Sequence, residues 1–149
     1  AGFGGYGPSL PRGTHRAYLP LHDARQHCPS IASVEELATG AVRITTGVVL
    51  PSGDVVTLFV PPDPERDFVD GTAGYIVTDF GGTLLSLNDG GAELEAMATA
   101  VVSACGVYGV ELDGYTLRLN VADKHGLPEA VYRLSLACLW VAAMCEGAE

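Results

Sequence analysis

The sequence predicts an α+β fold: a mainly antiparallel sheet, made of two hairpins and one further strand, packed against two or three helices. Two turn signals separate strand-like runs, Pro51-Ser52-Gly53-Asp54 and Asp113-Gly114. A further strand-like run starts at Tyr75 and stops at Asp79. A chain of 149 residues is about one domain, which we place at 29–149. The four hairpin strands are predicted at 41–50, 55–60, 107–112 and 115–121.

The first 28 residues are predicted to form an irregular arm. This part of the chain is rich in Gly and Pro and shows neither helical nor strand periodicity. After it, Pro29 suits a first helical turn, and Ser33 and Glu36 have the spacing of a capping box. We therefore predict a short helix that runs to Thr39 and ends at Gly40, a residue type common at helix C-termini.

Prolines and glycines delimit the later elements. The stretch 61–71 holds three prolines and four acidic residues, so it is predicted to be a solvated loop. Gly90-Gly91 separates two helical patterns, Gly106 ends the second, and Pro128 opens a third. We predict helices at 83–87, 92–105 and 128–144.

The charge balance excludes some functions. The formal charge is −10, from 8 basic and 18 acidic residues, and Lys124 is the only lysine. Direct nucleic-acid binding is not expected, because it requires a basic face and the sequence has no cluster of Arg. An acidic surface suits a basic protein partner, although solubility alone would also explain it.

The sequence predicts a cytoplasmic protein with reduced cysteines. No uncharged run approaches the roughly 18 residues of a membrane-spanning helix, and the N-terminus lacks the layout of a signal peptide. The 4 cysteines form no Cys-x-x-Cys pair. Cys138 and Cys145 lie too far apart on a helix for a disulfide. His22, His27 and Cys28 match no familiar metal spacing, so we expect neither a metal nor a cofactor.

The segment 75–84 carries the most distinctive pattern, Tyr-Ile-Val-Thr-Asp-Phe-Gly-Gly-Thr-Leu. A strand stops at Asp79, the chain turns on Gly81-Gly82, and a helix opens at Thr83. In a structural interpretation, Asp79 or Thr83 accepts hydrogen bonds from the first helical amides. In a functional interpretation, an exposed Asp79 acts as a general base or binds a cation, assisted by Thr78 and Thr83.

Signatures of common enzymes are missing from the sequence. Asp79-Phe80-Gly81 matches the metal-binding triplet of kinases, but no Gly-rich phosphate loop, strand Lys or His-Arg-Asp loop accompanies it. The Gly-Gly-Thr turn lacks the Gly-Lys-Ser/Thr ending of a phosphate loop. No Gly-x-Ser-x-Gly elbow is present either. We therefore predict no catalytic residue, and a small hydrolase or metal-dependent enzyme centred on Asp79 remains the alternative.

Two motifs together resemble a known family. Val77-Thr78-Asp79-Phe80-Gly81-Gly82-Thr83 precedes Gly109-Val110-Glu111-Leu112-Asp113-Gly114. Over residues 42–144 this order resembles the domain of unknown function 1828, a bacterial and phage family with a Leu-Thr-Asp-x-Gly-x-Thr signature. Phe80 departs from the family pattern, in which an acid is usual, and this weakens the idea of paired carboxylates. The resemblance implies an α+β fold and a phage or mobile-element context.

The last predicted helix is apolar around most of its circumference. It therefore lies under the sheet or forms half of an interface, and we favour the sheet. One sheet face cannot cover all of it, so we also predict a homodimer with Trp140, Leu139 and Val131 at the contact. These observations predict a non-enzymatic, acidic protein-interaction module. This function has two versions. The module could inhibit a nucleic-acid-handling enzyme by covering its basic surface, or it could form an oligomeric scaffold.

Overall fold

The α+β fold class predicted from the sequence is confirmed. The structure is a computed structural model that describes residues 17–28, 30–62 and 74–147. Its helices are α1 (Tyr18–Ala24), α2 (Gly82–Asp89), α3 (Leu94–Tyr108) and α4 (Leu127–Gly147), with a 3-10 turn at Lys124–Gly126. Its strands are β1 (Ile31–Glu36), β2 (Val42–Val49), β3 (Val55–Val60), β4 (Tyr75–Thr78), β5 (Glu111–Asp113) and β6 (Thr116–Val121).

The six strands form one antiparallel sheet in the order β1-β2-β3-β4-β6-β5. Both predicted hairpins are present, as β2–β3 and β5–β6. Alternate residues of β3 and β6 are buried, because successive side chains of a strand point to opposite faces. β4 pairs with β6 from Tyr75↔Val121 to Thr78↔Arg118, but its register with β3 contains only Phe59↔Thr78. β4 is therefore joined to the rest of the sheet mainly through β6.

The helix predicted from Pro29 to Thr39 is wrong, because Ile31–Glu36 forms the edge strand β1. β1 pairs with β2 from Ile31↔Thr46 to Glu36↔Val42. Pairing with an apolar strand outweighs the local capping-box pattern, since helix propensity is weak evidence against tertiary packing. Gly40 does adopt a left-handed conformation, with φ of 93°, but it does so in the turn between β1 and β2.

The predicted irregular arm is wrong for its last part, because α1 lies within it. Ala17 and Leu21 are fully buried, and Tyr18 stacks on His22 with ring centroids 5.5 Å apart. The helix thereby contributes to the core next to β1 and α4. Residues 1–16 of the arm and residues 63–71 of the predicted loop lie outside the described residues.

α4 is the central helix and packs against the sheet, α1, α2 and α3. In the part of the chain that the structure describes, residues 124–145 form the one helix with the length and mean hydropathy, 1.3, of a membrane span. Half of this segment is buried inside the fold, and a core helix has the same composition. Its apolar character is therefore weak evidence for a membrane segment.

Candidate functional site

Asp79 is a buried carboxylate at the junction of β4 and α2, and it is only 4% exposed. Its Oδ1 accepts hydrogen bonds from the backbone N–H groups of Gly81 (2.8 Å) and Leu117 (3.0 Å). Its Oδ2 accepts one from the N–H of Thr83 at 3.4 Å. The functional interpretation required an exposed Asp79, and the structure corrects that point. Three backbone amides donate to its two oxygens, so this carboxylate links the end of β4 to the start of α2 and to β6.

The other predicted motif residues contribute unequally to this junction. The Oγ1 of Thr78 accepts a hydrogen bond from the N–H of Phe80 at 3.0 Å. Gly81 has φ of 83° and precedes α2, a conformation that favours glycine. Gly82 has open space where a Cβ would lie. Thr83 is buried and its N–H donates to Asp79, so of the two predicted acceptors it is Asp79 that caps the start of α2.

Phe80 has φ of 52°, in the left-handed region, which costs a non-glycine residue about 1–2 kcal/mol. Its half-exposed ring stacks on Phe59, with centroids 4.7 Å apart and planes at 26°. Sequence reasoning noted Phe80 as part of a kinase-like triplet that it rejected and as a departure from a family pattern. The stacking was missed because Phe59 lies on another strand, and no local pattern joins the two rings.

The two sequence motifs lie on opposite sides of β6, because the strand order is β4-β6-β5. The second motif forms the start of the β5–β6 hairpin, which brings the N–H of Leu117 to Asp79. The backbone N–H of Asp79 in turn donates to the Leu117 carbonyl at 3.1 Å. A Cβ placed on Gly81 would lie 3.5 Å from the Tyr115 carbonyl oxygen. The first motif and the start of β6 therefore form one backbone junction, at which β4, α2 and β6 meet.

Two small clefts flank α2. One of about 180 Å³ lies beside Asp79, between Val55, Thr57 and Phe59 of β3 and Ser86 of α2. The other, about 100 Å³, lies toward α4. Among the described residues that line these clefts there is no His, Lys or Arg. The first cleft reaches only a small part of the Asp79 carboxylate, because that residue is almost fully buried and its oxygens are bonded to amides.

Metal-binding and nucleophilic groups are not assembled here. The described residues contain no group of three or more His, Cys, Asp or Glu side chains that could hold a metal ion. The thiol of Cys138 lies 4.0 Å from Asp79 Oδ2. Burial, followed by the nearby Asp79 carboxylate, raises the pKa of Cys138 to about 12. A thiol with that pKa is protonated at neutral pH and is a poor nucleophile.

The raised pKa of Cys138 predicts a loss of stability in alkali. Because the folded state binds this proton more tightly than the unfolded state, the stabilisation is complete below the ordinary thiol pKa of 9.0 and disappears as the pH rises toward about 12. Over this window the free energy of unfolding should fall by up to about 1.4 kcal/mol per pH unit more in the wild type than in Cys138→Ala. Urea unfolding at several pH values measures the difference.

Cys28→Ala is the matched control for this titration, because Cys28 is a half-buried thiol outside the junction. This variant keeps the Cys138 thiol, so its free energy of unfolding should still fall as the pH rises above 9.0. Equal slopes in the wild type and Cys138→Ala would show that Cys138 ionises in the folded state as easily as in the unfolded state.

The predicted interface residues of α4 occupy different environments. Val131 is 0% exposed and packs inside the core, so it is not available as an interface residue and that prediction is wrong. Leu139 is half-buried against the core. Trp140 is 37% exposed, its Nε1 donates to Ser103 Oγ at 3.1 Å, and its ring meets Tyr108 edge-on at 5.9 Å. Trp140 is therefore a surface residue that bridges α4 to α3.

The two large apolar side chains with the highest exposed fractions in the described residues lie on α3, which sequence reasoning did not select. Val102 is 73% exposed and Leu94 is 70% exposed. The available clue was that the sequence carries no charged residue from Ala96 to Val110. Helical spacing places exposed or half-buried side chains in two stripes, which we call the α3/α4 face. Its members are Leu94, Ala98, Val102, Tyr132, Leu136, Trp140 and Met144.

No protein-family model, no curated protein and no solved structure matches this chain. The resemblance to the domain of unknown function 1828 therefore stays a prediction.

Proposed function

We propose that this chain is a non-enzymatic protein-interaction module that docks a partner on the α3/α4 face. The observation that carries the proposal is the high exposure of Val102 and Leu94 on a helix without charge between Ala96 and Tyr108. Large apolar side chains exposed together on one helix of an acidic protein are typical of a protein contact. Trp140 supplies a large aromatic side chain, a common interface anchor.

The distinctive motif supports a structural role in place of catalysis. Both oxygens of Asp79 are engaged by backbone amides, and the neighbouring thiol of Cys138 has a raised pKa. The same bonds occupy the N–H groups of Gly81 and Thr83, which would otherwise be available to an anion at the start of α2. Neither acid–base chemistry nor phosphate binding fits this arrangement well.

A basic protein is the partner that the charge of −10 favours. The basic side chains near the sheet are largely engaged. Arg43 pairs with Glu35, Arg118 pairs with Glu111 and Asp113, and Arg133 donates to the Tyr108 carbonyl. The family resemblance implies a phage or mobile-element context. In that context, one such basic partner is a nucleic-acid-handling enzyme whose basic surface this chain covers. A cytoplasmic location belongs to the same proposal.

Val102→Glu is expected to abolish partner capture without unfolding the chain. The side chain is largely exposed on α3, so its replacement should change the free energy of unfolding by less than about 0.5 kcal/mol. Affinity purification from the native cell, followed by light scattering of the isolated complex, measures the effect.

Leu19→Glu is the matched control, because Leu19 is an exposed apolar helical residue on α1, away from this face. It should retain the stoichiometric partner. A partner kept by Val102→Glu, or a wild-type protein that is a monomer and captures nothing, would contradict the proposal. A homodimer through the same face is the alternative occupant, and light scattering of the purified wild type identifies it.

A small hydrolase or metal-dependent enzyme centred on Asp79 is the second candidate function. The cleft of about 180 Å³ beside Asp79 is the observation in its favour. Asp79→Asn tests it, because Asn keeps one oxygen for the amides but lacks the charge for acid–base or metal chemistry. A hydrolytic activity present in the wild type and lost in a folded Asp79→Asn protein would establish the enzyme.

A further inference from the structure

The α3/α4 face has a defined length and direction. Arg133 donates to the Tyr108 carbonyl at 2.7 Å, and Trp140 donates to Ser103 at 3.1 Å. Higher residue numbers on α4 therefore meet lower numbers on α3, so the two helices run antiparallel. At 15 residues, α3 is about 22 Å long. The face can therefore accommodate about four helical turns of a partner.

Charge is confined to the ends of this face. Glu93 and Glu95 lie at the start of α3, beside the end of α4, and Glu129 lies in the first turn of α4, beside the end of α3. All three are exposed, and just before α4 the exposed Asp123 and Lys124 carry opposite charges, so the end with Glu129 keeps a net negative charge. Between them the described part of the face carries one charged side chain, Arg133, which is bonded to the Tyr108 carbonyl. The face therefore has an apolar centre with acidic ends.

We propose that the occupant of this face is an amphipathic helix of a basic partner, with an apolar stripe in the middle and Lys or Arg at both ends. This inference rests on the proposed function and specifies the chemistry of its partner. Apolar side chains spaced by three and four residues would cover Val102 and Trp140, while the terminal cations would meet Glu95 and Glu129.

The acidic ends disfavour the two other occupants of an apolar face. A second copy of this chain would bring acidic residues against the acidic ends in a protein whose net charge is already −10. An anionic bilayer would repel the same residues, since binding to such a surface depends on Lys and Arg near the headgroups. A helix with basic ends has neither conflict.

The single tryptophan provides the measurement, because Trp140 lies on this face. The probe is a synthetic Trp-free helix of about 15 residues, with a Leu stripe and terminal Lys residues. Its control carries the same Leu stripe with Glu in place of Lys. We expect the Lys peptide to shift the emission of Trp140 and to bind at least about tenfold more tightly than the Glu peptide. Added salt should reduce this preference.

Two sets of variants separate the apolar from the charged contribution. Val102→Glu adds a negative charge, which would strengthen a purely electrostatic contact. Because it also removes an apolar contact, we expect it to lower the affinity for the Lys peptide by at least about tenfold. Leu19→Glu adds the same charge elsewhere and should bind like the wild type. The triple variant Glu93→Gln, Glu95→Gln and Glu129→Gln leaves the apolar centre intact. Its affinity for the Lys peptide should also fall by about tenfold.

The failures of the two proposals can be distinguished. If both peptides bind equally well, and only Val102→Glu lowers their affinity, the face is a docking surface but its partner is not selected by charge. If Val102→Glu changes nothing, the proposed docking face is wrong as well. A wild-type dimer that Val102→Glu dissociates would identify a second copy as the occupant. Binding of the wild type to phosphatidylserine vesicles, lost in Val102→Glu, would identify a membrane.

Discussion

Asp79→Ala is expected to destabilise the fold by about 3 kcal/mol or more, since each of three buried amides left without its acceptor costs about 1–3 kcal/mol. The N–H groups of Gly81, Thr83 and Leu117 all lose the acceptor that they share. Because Leu117 belongs to β6, the loss affects the sheet as well as the start of α2. Urea unfolding followed by circular dichroism measures the change.

Two further variants test this explanation. Asp79→Asn retains an oxygen for Gly81 and Leu117 and presents an amide toward Thr83, so it should cost only about 1–2 kcal/mol. Asp89→Ala removes an exposed carboxylate from the end of α2 and should change stability by less than about 0.5 kcal/mol. If Asp79→Ala were as mild as Asp89→Ala, the buried amides would have to find other acceptors, and the structural role assigned to Asp79 would be wrong.

Val131→Asp is expected to prevent folding, whereas Trp140→Glu should leave a folded protein. Val131 is 0% exposed, so Val131→Asp would bury an unpaired carboxylate and also lose apolar packing. The two costs together exceed the roughly 5–15 kcal/mol by which a domain is usually stable. Trp140 lies partly in solvent and contacts Ser103 and Tyr108. Its replacement should cost about 1–3 kcal/mol.

Circular dichroism and analytical ultracentrifugation of both variants measure the contrast between the two sides of α4. Val131→Ala is the control for lost volume alone, and it should remain folded with a loss of about 1–3 kcal/mol. An unfolded Trp140→Glu protein would show that Trp140 belongs to the core and not to a docking surface. A folded Val131→Asp protein would contradict the central position of α4.

The elements that sequence analysis located correctly have strong local signals. The β2–β3 and β5–β6 hairpins follow from turn residues between strand-like runs, and α3 and α4 follow from helix formers bounded by Gly and Pro. The errors lie where distant partners decide the structure. Ser33 and Glu36 have helical spacing, but β2 pairs with them as a strand. Leu21 belongs to a segment without periodicity, yet α1 is held in place by contacts with β1 and α4.

The candidate site was predicted in part for the same reason. The sequence placed Asp79 at the end of a strand with free amides ahead of it, and Gly81 and Thr83 do donate to it. The third donor, Leu117, is 38 residues away, and no local pattern indicates it. The exposure of Val102 was equally hidden, because an uncharged helix is compatible with a buried or an exposed position until its neighbours are known.

The bond between Asp79 and Leu117 also links the order of folding to the order of synthesis. Strands β1, β2 and β3 are consecutive and pair with their neighbours in the chain, so this meander can close early. β4 must wait for β6, which follows α2 and α3. We therefore expect nascent chains that end before Leu117 to contain a paired meander next to a β4 with one open edge. That interval is when the chain is most vulnerable to aggregation through strand pairing.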